Sequence, residues 1–219
     1  MNKDIVPILE SCLERGFDVL VLSNAMRPMR RHEDVLLDLL QRYGAKLTVR
    51  VSLDHYSREI HEAERGRDTW DKAIDGLKWL SDQGFSIAVA GRHLAHEDDA
   101  EARRGYAQLF AREGIAIDPA DPARLVLFPE MDATADVPEI TTACWGILNV
   151  DPASVMCSNS RMVVKHKGDD APTVVACTLL PHGEDFQMGR TLKEASRTVS
   201  LNHPHCARFC VLGGASCSG

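Results

Sequence analysis

The sequence has no apolar run approaching the length of a membrane span, so a bilayer-crossing helix is not expected. It also lacks a basic tract, apart from the short cluster Arg27 to Arg31. With a net charge of -7 and a pI near 5.7, it is a poor match for phosphate backbones, and nucleic acid is not an expected partner. An apolar leader is not expected either. Asp4, Glu10 and Glu14 stand where a signal peptide would be apolar, and the reading is a cytoplasmic protein. Disorder is not the expectation either. Across 219 residues, 44% hydrophobic and 26% charged, the chain has enough length for one core plus an appendage.

Cysteine is what stands out. There are seven, an odd number, and in a reducing compartment that favours metal binding or catalysis over a disulfide framework. Cys157, Cys177, Cys206, Cys210 and Cys217 all lie in the last third. Cys206 and Cys210 are spaced to grip one metal centre from a single turn, and Gly213 and Gly214 allow the close backbone packing that brings Cys217 round. The competing role is that of small apolar residues, and Cys12, alone on a helix face, is read that way.

From the start, the pattern alternates. Residues 4–15 read as an amphipathic helix ended by Gly16, and Phe17 to Leu22 form a short apolar run of the kind found in parallel sheets. Helices are expected over 32–43, 69–83 and 97–112, and strands over 46–53, 85–90 and 124–128. Four strand and helix pairs within about 130 residues predict a parallel α/β sheet, half of a (β/α)8 barrel or an open sheet. Chemistry in either architecture gathers at the C-terminal strand ends, here Ser23-Asn24, Ser52-Leu53-Asp54-His55, Gly91-Arg92-His93 and Pro129-Glu130. Loops are polar in any case, which is the plainer account of such ends.

The pattern changes from about Pro138. A helix over Ile140 to Leu148 is followed by two strands, Met162 to Lys165 and Thr173 to Cys177, flanking Gly168-Asp169-Asp170 as a hairpin. The hairpin would bring Cys157 and Cys177 together at its outer ends. A helix is expected over 192–199 before the terminal cysteines. The division follows as a partial barrel over 1–135 and a small cysteine-rich α+β domain over 136–219, stapled by a metal centre.

Several stretches, in this order, resemble the radical S-adenosylmethionine (radical SAM) superfamily, in particular members with a C-terminal auxiliary domain of the SPASM or twitch kind. Val19 to Ala25 is similar to that barrel's third strand with its Thr-Asn-Gly-type turn. Val49 to Asp54 resembles the fourth, with its Ser-Leu-Asp ending, and Ile87 to Arg92 the fifth. Glu64 to Trp70 resembles the Arg-Gly loop between the last two. The resemblance implies S-adenosylmethionine as cofactor, with Ser52 and Arg92 against its methionine part and Asn24 and Asp54 at neighbouring strand ends. It further implies an auxiliary 4Fe-4S cluster on Cys157, Cys177, Cys206 and Cys210 with Cys217 in reserve, a flavodoxin or ferredoxin as reductant, and a small-molecule or peptide substrate.

Two family features are missing from the sequence given: Cys-x3-Cys-x2-Cys, which holds the cofactor-cleaving cluster, and the Gly-Gly-Glu turn. The expectation is a fragment comprising the C-terminal two thirds of such an enzyme, catalytically silent by itself. The rival reading is a zinc-binding scaffold using Cys206, Cys210 and His203 or His205.

Overall fold

Apolar residues set the order of elements in the first part of the chain. The computed structural model describes residues 3–94, 96–130 and 132–213. Helix α1 (Ile5–Glu14) buries Leu9 and Leu13, and Gly16, at φ +85°, lets the chain reverse into β1 (Val19–Ser23). There follow α2 (Arg27–Arg30), α3 (Glu33–Tyr43), β2 (Leu47–Ser52), α4 (Arg58–Arg65), α5 (Trp70–Asp82), β3 (Ser86–His93), α6 (Asp99–Glu113) and β4 (Leu125–Pro129). The four strands make one parallel sheet in the order β1-β2-β3-β4, the arrangement that short β/α connections favour. This is a mixed α/β fold. Among the described residues β1 and β4 each pair on one side only, and β1 leaves Leu20 and Leu22 exposed at 43% and 59%.

The sheet's two faces differ in chemistry. Strand alternation puts Leu47, Val49, Val51 and Leu53 on one face with Ile87, Val89 and Leu125, all 4% exposed or less, in the core shared with the helices. On the opposite face of β2 lie Thr48, Arg50 and Ser52. The register sets Thr48 beside Ser86, their hydroxyls 3.0 Å apart, and Arg124 donates to Ser86 Oγ at 2.7 Å. A parallel strand that merely fills a core is aliphatic on both sides, so this polar column separates a packing face from a face with another use.

The chain divides into two compact units, Met1–Glu130 and Met131–Gly219. The second contains α7 (Ala143–Leu148), α8 (Met156–Asn159), a sheet of β5 (Met162–Val164), β6 (Thr173–Val175) and β7 (Gln187–Gly189), and a π-helix, Cys206–Leu212. The expected hairpin is there: β5 pairs antiparallel with β6, Met162 opposite Val175. Strand β7, which the sequence reading did not foresee, pairs with the other edge of β6. The helix expected over 192–199 is instead a single 3-10 turn, Glu194–Ser196. The Glu194 carboxylate accepts from the Arg190 and Thr191 amides at 2.7 and 2.9 Å and closes the turn on itself, while Leu192, which a helix would have buried, is 69% exposed. A small core of Val174, Ala176, Phe186, Met188, Ala195 and Cys206 holds the unit. No helix among the described residues is long and apolar enough to cross a membrane.

Candidate functional site

The C-terminal ends of β2 and β3 are joined beyond the formal end of β2. Leu53 donates its N–H to Ala90 at 3.0 Å, and Arg92 donates its N–H to the Asp54 carbonyl at 2.8 Å, so the Asp54 and Arg92 side chains rise side by side. Tyr106 of α6 clamps this junction. Its fully buried hydroxyl donates to the Leu53 carbonyl at 2.7 Å, and burial raises its pKa well above the phenol range. The ring needs a glycine at position 91, since a Cβ there would lie 2.1 Å from the Tyr106 hydroxyl.

Asp54, 6% exposed, is charge-compensated by two arginines. Arg65, the last residue of α4, reaches it through Nε and again through Nη2 at 3.1 Å, a forked geometry that keeps the carboxylate oriented. This hydrogen bonding raises the Arg65 pKa above the usual arginine value, so the guanidinium stays cationic. Arg92 Nε lies 3.7 Å from the same carboxylate, while Nη1 bonds Glu64 at 3.2 Å and half of the side chain stays exposed. Ser52 is half-buried, and its hydroxyl has no hydrogen bond among the described residues. Thus Ser52, Asp54 and Arg92 share one rim, with one free hydroxyl and one accessible guanidinium.

Asn24 is elsewhere on that edge. Its Oδ1 accepts from the Met26 amide at 3.1 Å and Ser23 Oγ accepts from Ala25 at 3.0 Å, folding the turn after β1. The structure links Asn24 to none of the Asp54 cluster's hydrogen bonds. Ala25 occupies the left-handed region at φ +56° with no exposure, directly against α5.

The rim's underside was not legible from single residues. His55 Nδ1 accepts from the Ser57 amide at 3.0 Å, which points its Nε2 at Glu97, 3.7 Å away. Tyr56 donates to Glu97 at 2.6 Å, and this bond pushes the Tyr56 pKa up to about 12. His61 is fully buried edge-on to Trp70, and neither ring nitrogen has a hydrogen-bond partner among the described residues. The signal that could have found this layer is the spacing His61, Arg65, Gly66, which sets both side chains on one face of α4 before a glycine stop.

Burial lowers the pKa of both His55 and His61 from 6.5. The folded state therefore binds protons less readily than the unfolded chain. The stability this neutrality confers is complete above the unfolded pKa and is lost as pH falls through 6.5 toward the lowered folded values. The urea midpoint is expected to drop between pH 7.5 and 5, and His61→Leu, which removes two unsatisfied nitrogens, should flatten that drop. Parallel pH curves for the two proteins would show that His61 is not responsible.

In the second unit, Cys157 on α8 and Cys177 just after β6 lie within each other's field: burial raises the Cys157 pKa, and the neighbouring Cys177 raises it further. Cys206 is 4% exposed in the small apolar core, and Cys210 follows on the π-helix. Cys144 is engaged with Thr141 and the Glu139 carbonyl. Cys217 lies outside the described residues. Among the described residues no three Cys, His, Asp or Glu side chains gather to hold a metal ion, which applies equally to His203 and His205. Cys177 is thus near enough to Cys157 to act on its titration, and among the described residues no metal site is assembled.

The sequence profile of the radical SAM superfamily matches residues 1–105, the stretch that builds β1 to β3 and the rim. This part of the chain belongs to the radical SAM superfamily. Among curated relatives, a subtilosin biosynthesis protein of Bacillus subtilis (strain 168), named AlbA and described as serving an antilisterial bacteriocin, is 34% identical over 84 residues. The match covers 38% of this chain and 18% of that protein, so the chain spans under a fifth of the relative's length. The radical SAM family implies a 4Fe-4S cluster and S-adenosylmethionine. Ser52 and Arg92 fit an aminocarboxylate ligand in donor chemistry. The cluster is not matched: residues 1–130 contain one thiol, Cys12, on α1.

Proposed function

We propose that the first unit forms the cofactor-binding rim of a radical SAM enzyme that modifies a peptide, the cleaving cluster being held by cysteines other than those of residues 1–130. The observation that carries this reading is the rim itself. Two family-matched strands end side by side, presenting a free Ser52 hydroxyl and a half-exposed Arg92 beside a fixed Asp54. Bound S-adenosylmethionine supplies the 5′-deoxyadenosyl group for hydrogen abstraction. This chain's part is positional. Arg92 would exchange its Glu64 contact for the cofactor's carboxylate, Ser52 would donate to the same methionine moiety, and Arg65 would keep Asp54 from following. The peptide substrate class is carried over from the relative's name.

Titration calorimetry with S-adenosylmethionine tests the rim. Arg92→Ala is expected to weaken binding roughly tenfold or more, the worth of one charge-assisted hydrogen bond. Equal affinity for wild type and the variant would remove the assignment. For the second unit the reading extends to an auxiliary 4Fe-4S cluster on Cys157, Cys177, Cys206 and Cys210 with Cys217, supported by the influence of Cys177 on the Cys157 thiol alone. Iron and acid-labile sulfide in anaerobically purified protein test that site, and zinc in their place would favour the scaffold reading.

A further inference from the structure

Beside the turn that follows β1 lies a cleft of about 790 Å³, lined in part by Asn24 but by none of Ser52, Asp54 and Arg92. Its floor is a close approach of backbone to backbone. Gly76 of α5 abuts Ala25 so tightly that a Cβ on Gly76 would lie 1.9 Å from the Ala25 carbonyl oxygen. Met26 and Pro28 add apolar wall, and Arg27, Arg30, Lys72 and Asp75 supply the charge.

These charges are not equivalent. Arg30 is already committed, ion-paired with Glu33 and stacked 4.7 Å above the Trp79 ring. Arg27 on α2 and Lys72 on α5 are exposed and make no side-chain hydrogen bond or ion pair among the described residues, and neither does Asp75. Two uncommitted cations on separate elements thus border one concavity in a chain whose net charge is -7. Its volume falls in the range of ligand sites, about 300 to 1,000 Å³, and far exceeds what a lone phosphate fills.

We infer that this cleft is a docking site for an acidic stretch of peptide, with carboxylates on Arg27 and Lys72, an apolar side chain against Met26 and Pro28, and a peptide N–H donated to Asp75. Asp75 is what distinguishes this occupant from a polyphosphate. A carboxylate beside the cations repels dense negative charge but accepts a hydrogen bond from an amide. The inference rests on the peptide-modifying reading above and names a part of the substrate that is held away from the reacting atoms.

Fluorescence polarisation on the full chain tests it, with a fluorescein-labelled Leu-Glu-Leu-Asp-Leu peptide as probe and its Gln and Asn counterpart as control. The acidic peptide is expected to bind at least tenfold more tightly than the amide peptide, and the gap should narrow between 50 and 200 mM salt. Arg27→Gln and Lys72→Gln should each weaken it severalfold and the pair should abolish it, while Arg104→Gln, an exposed arginine on α6, should change nothing. Equal binding of both peptides, equal loss in Arg104→Gln, or stronger displacement by tripolyphosphate than by unlabelled peptide would each overturn the proposal. The assay needs no S-adenosylmethionine, so it can fail while Arg92 still binds the cofactor, and the reverse.

Discussion

Given iron, sulfide, dithionite and S-adenosylmethionine under anaerobic conditions, the chain is expected to release no 5′-deoxyadenosine above a protein-free background. Reductive cleavage requires an iron with an open position that the cofactor's amino and carboxylate groups can chelate. Three cysteines on one short loop leave that position free. Residues 1–130 contain only Cys12, half-buried on α1 and too isolated to supply such a set. The rim can still offer Ser52 and Arg92, so cofactor binding and cofactor cleavage are expected to separate: measurable heat of binding with no product by chromatography. Product that rises with bound iron would show that cysteines of the second unit form the cleaving site, and would overturn the reading of them as auxiliary.

The second large effect is on stability. Gly76→Ala is expected to cost about 3 kcal/mol, the upper end of overpacking penalties, and to lower the melting temperature by roughly 10 °C. Helix propensity argues the other way, because alanine in a helix interior is better than glycine by about 1 kcal/mol. The clash decides. The new Cβ would meet backbone, not a movable side chain, at 1.9 Å from Ala25 O, and Ala25 is itself buried at φ +56° with no slack to retreat. Gly146 of α7 is the matched control. A Cβ there meets nothing within 4 Å, so Gly146→Ala should stabilise by about 0.5 to 1 kcal/mol. If both substitutions stabilise, the close packing of α5 on the β1 turn is not present in solution.

The alternation of strand and helix, the parallel order of the sheet, and the polar character of its strand ends were legible along the chain. These follow from hydrophobic period and glycine stops, which act over a few residues and are readable locally. The sequence also marked Ser52, Asp54 and Arg92, because all three stand at strand ends where a parallel sheet gathers its chemistry. Which of the marked residues meet was decided only in three dimensions. Asp54 and Arg92 adjoin because the ladder runs past β2, and Arg65 joins them because α4 folds back over the rim. Asn24, equally well marked, is taken up by its own turn. The cysteines divide in the same way: Cys157 sits on α8 with Cys177 near enough to raise its pKa, whereas Cys206 faces a small apolar core. Spacing along the chain says which thiols could converge, but burial against particular neighbours settles where each one goes, and that energy depends on residues far away in sequence.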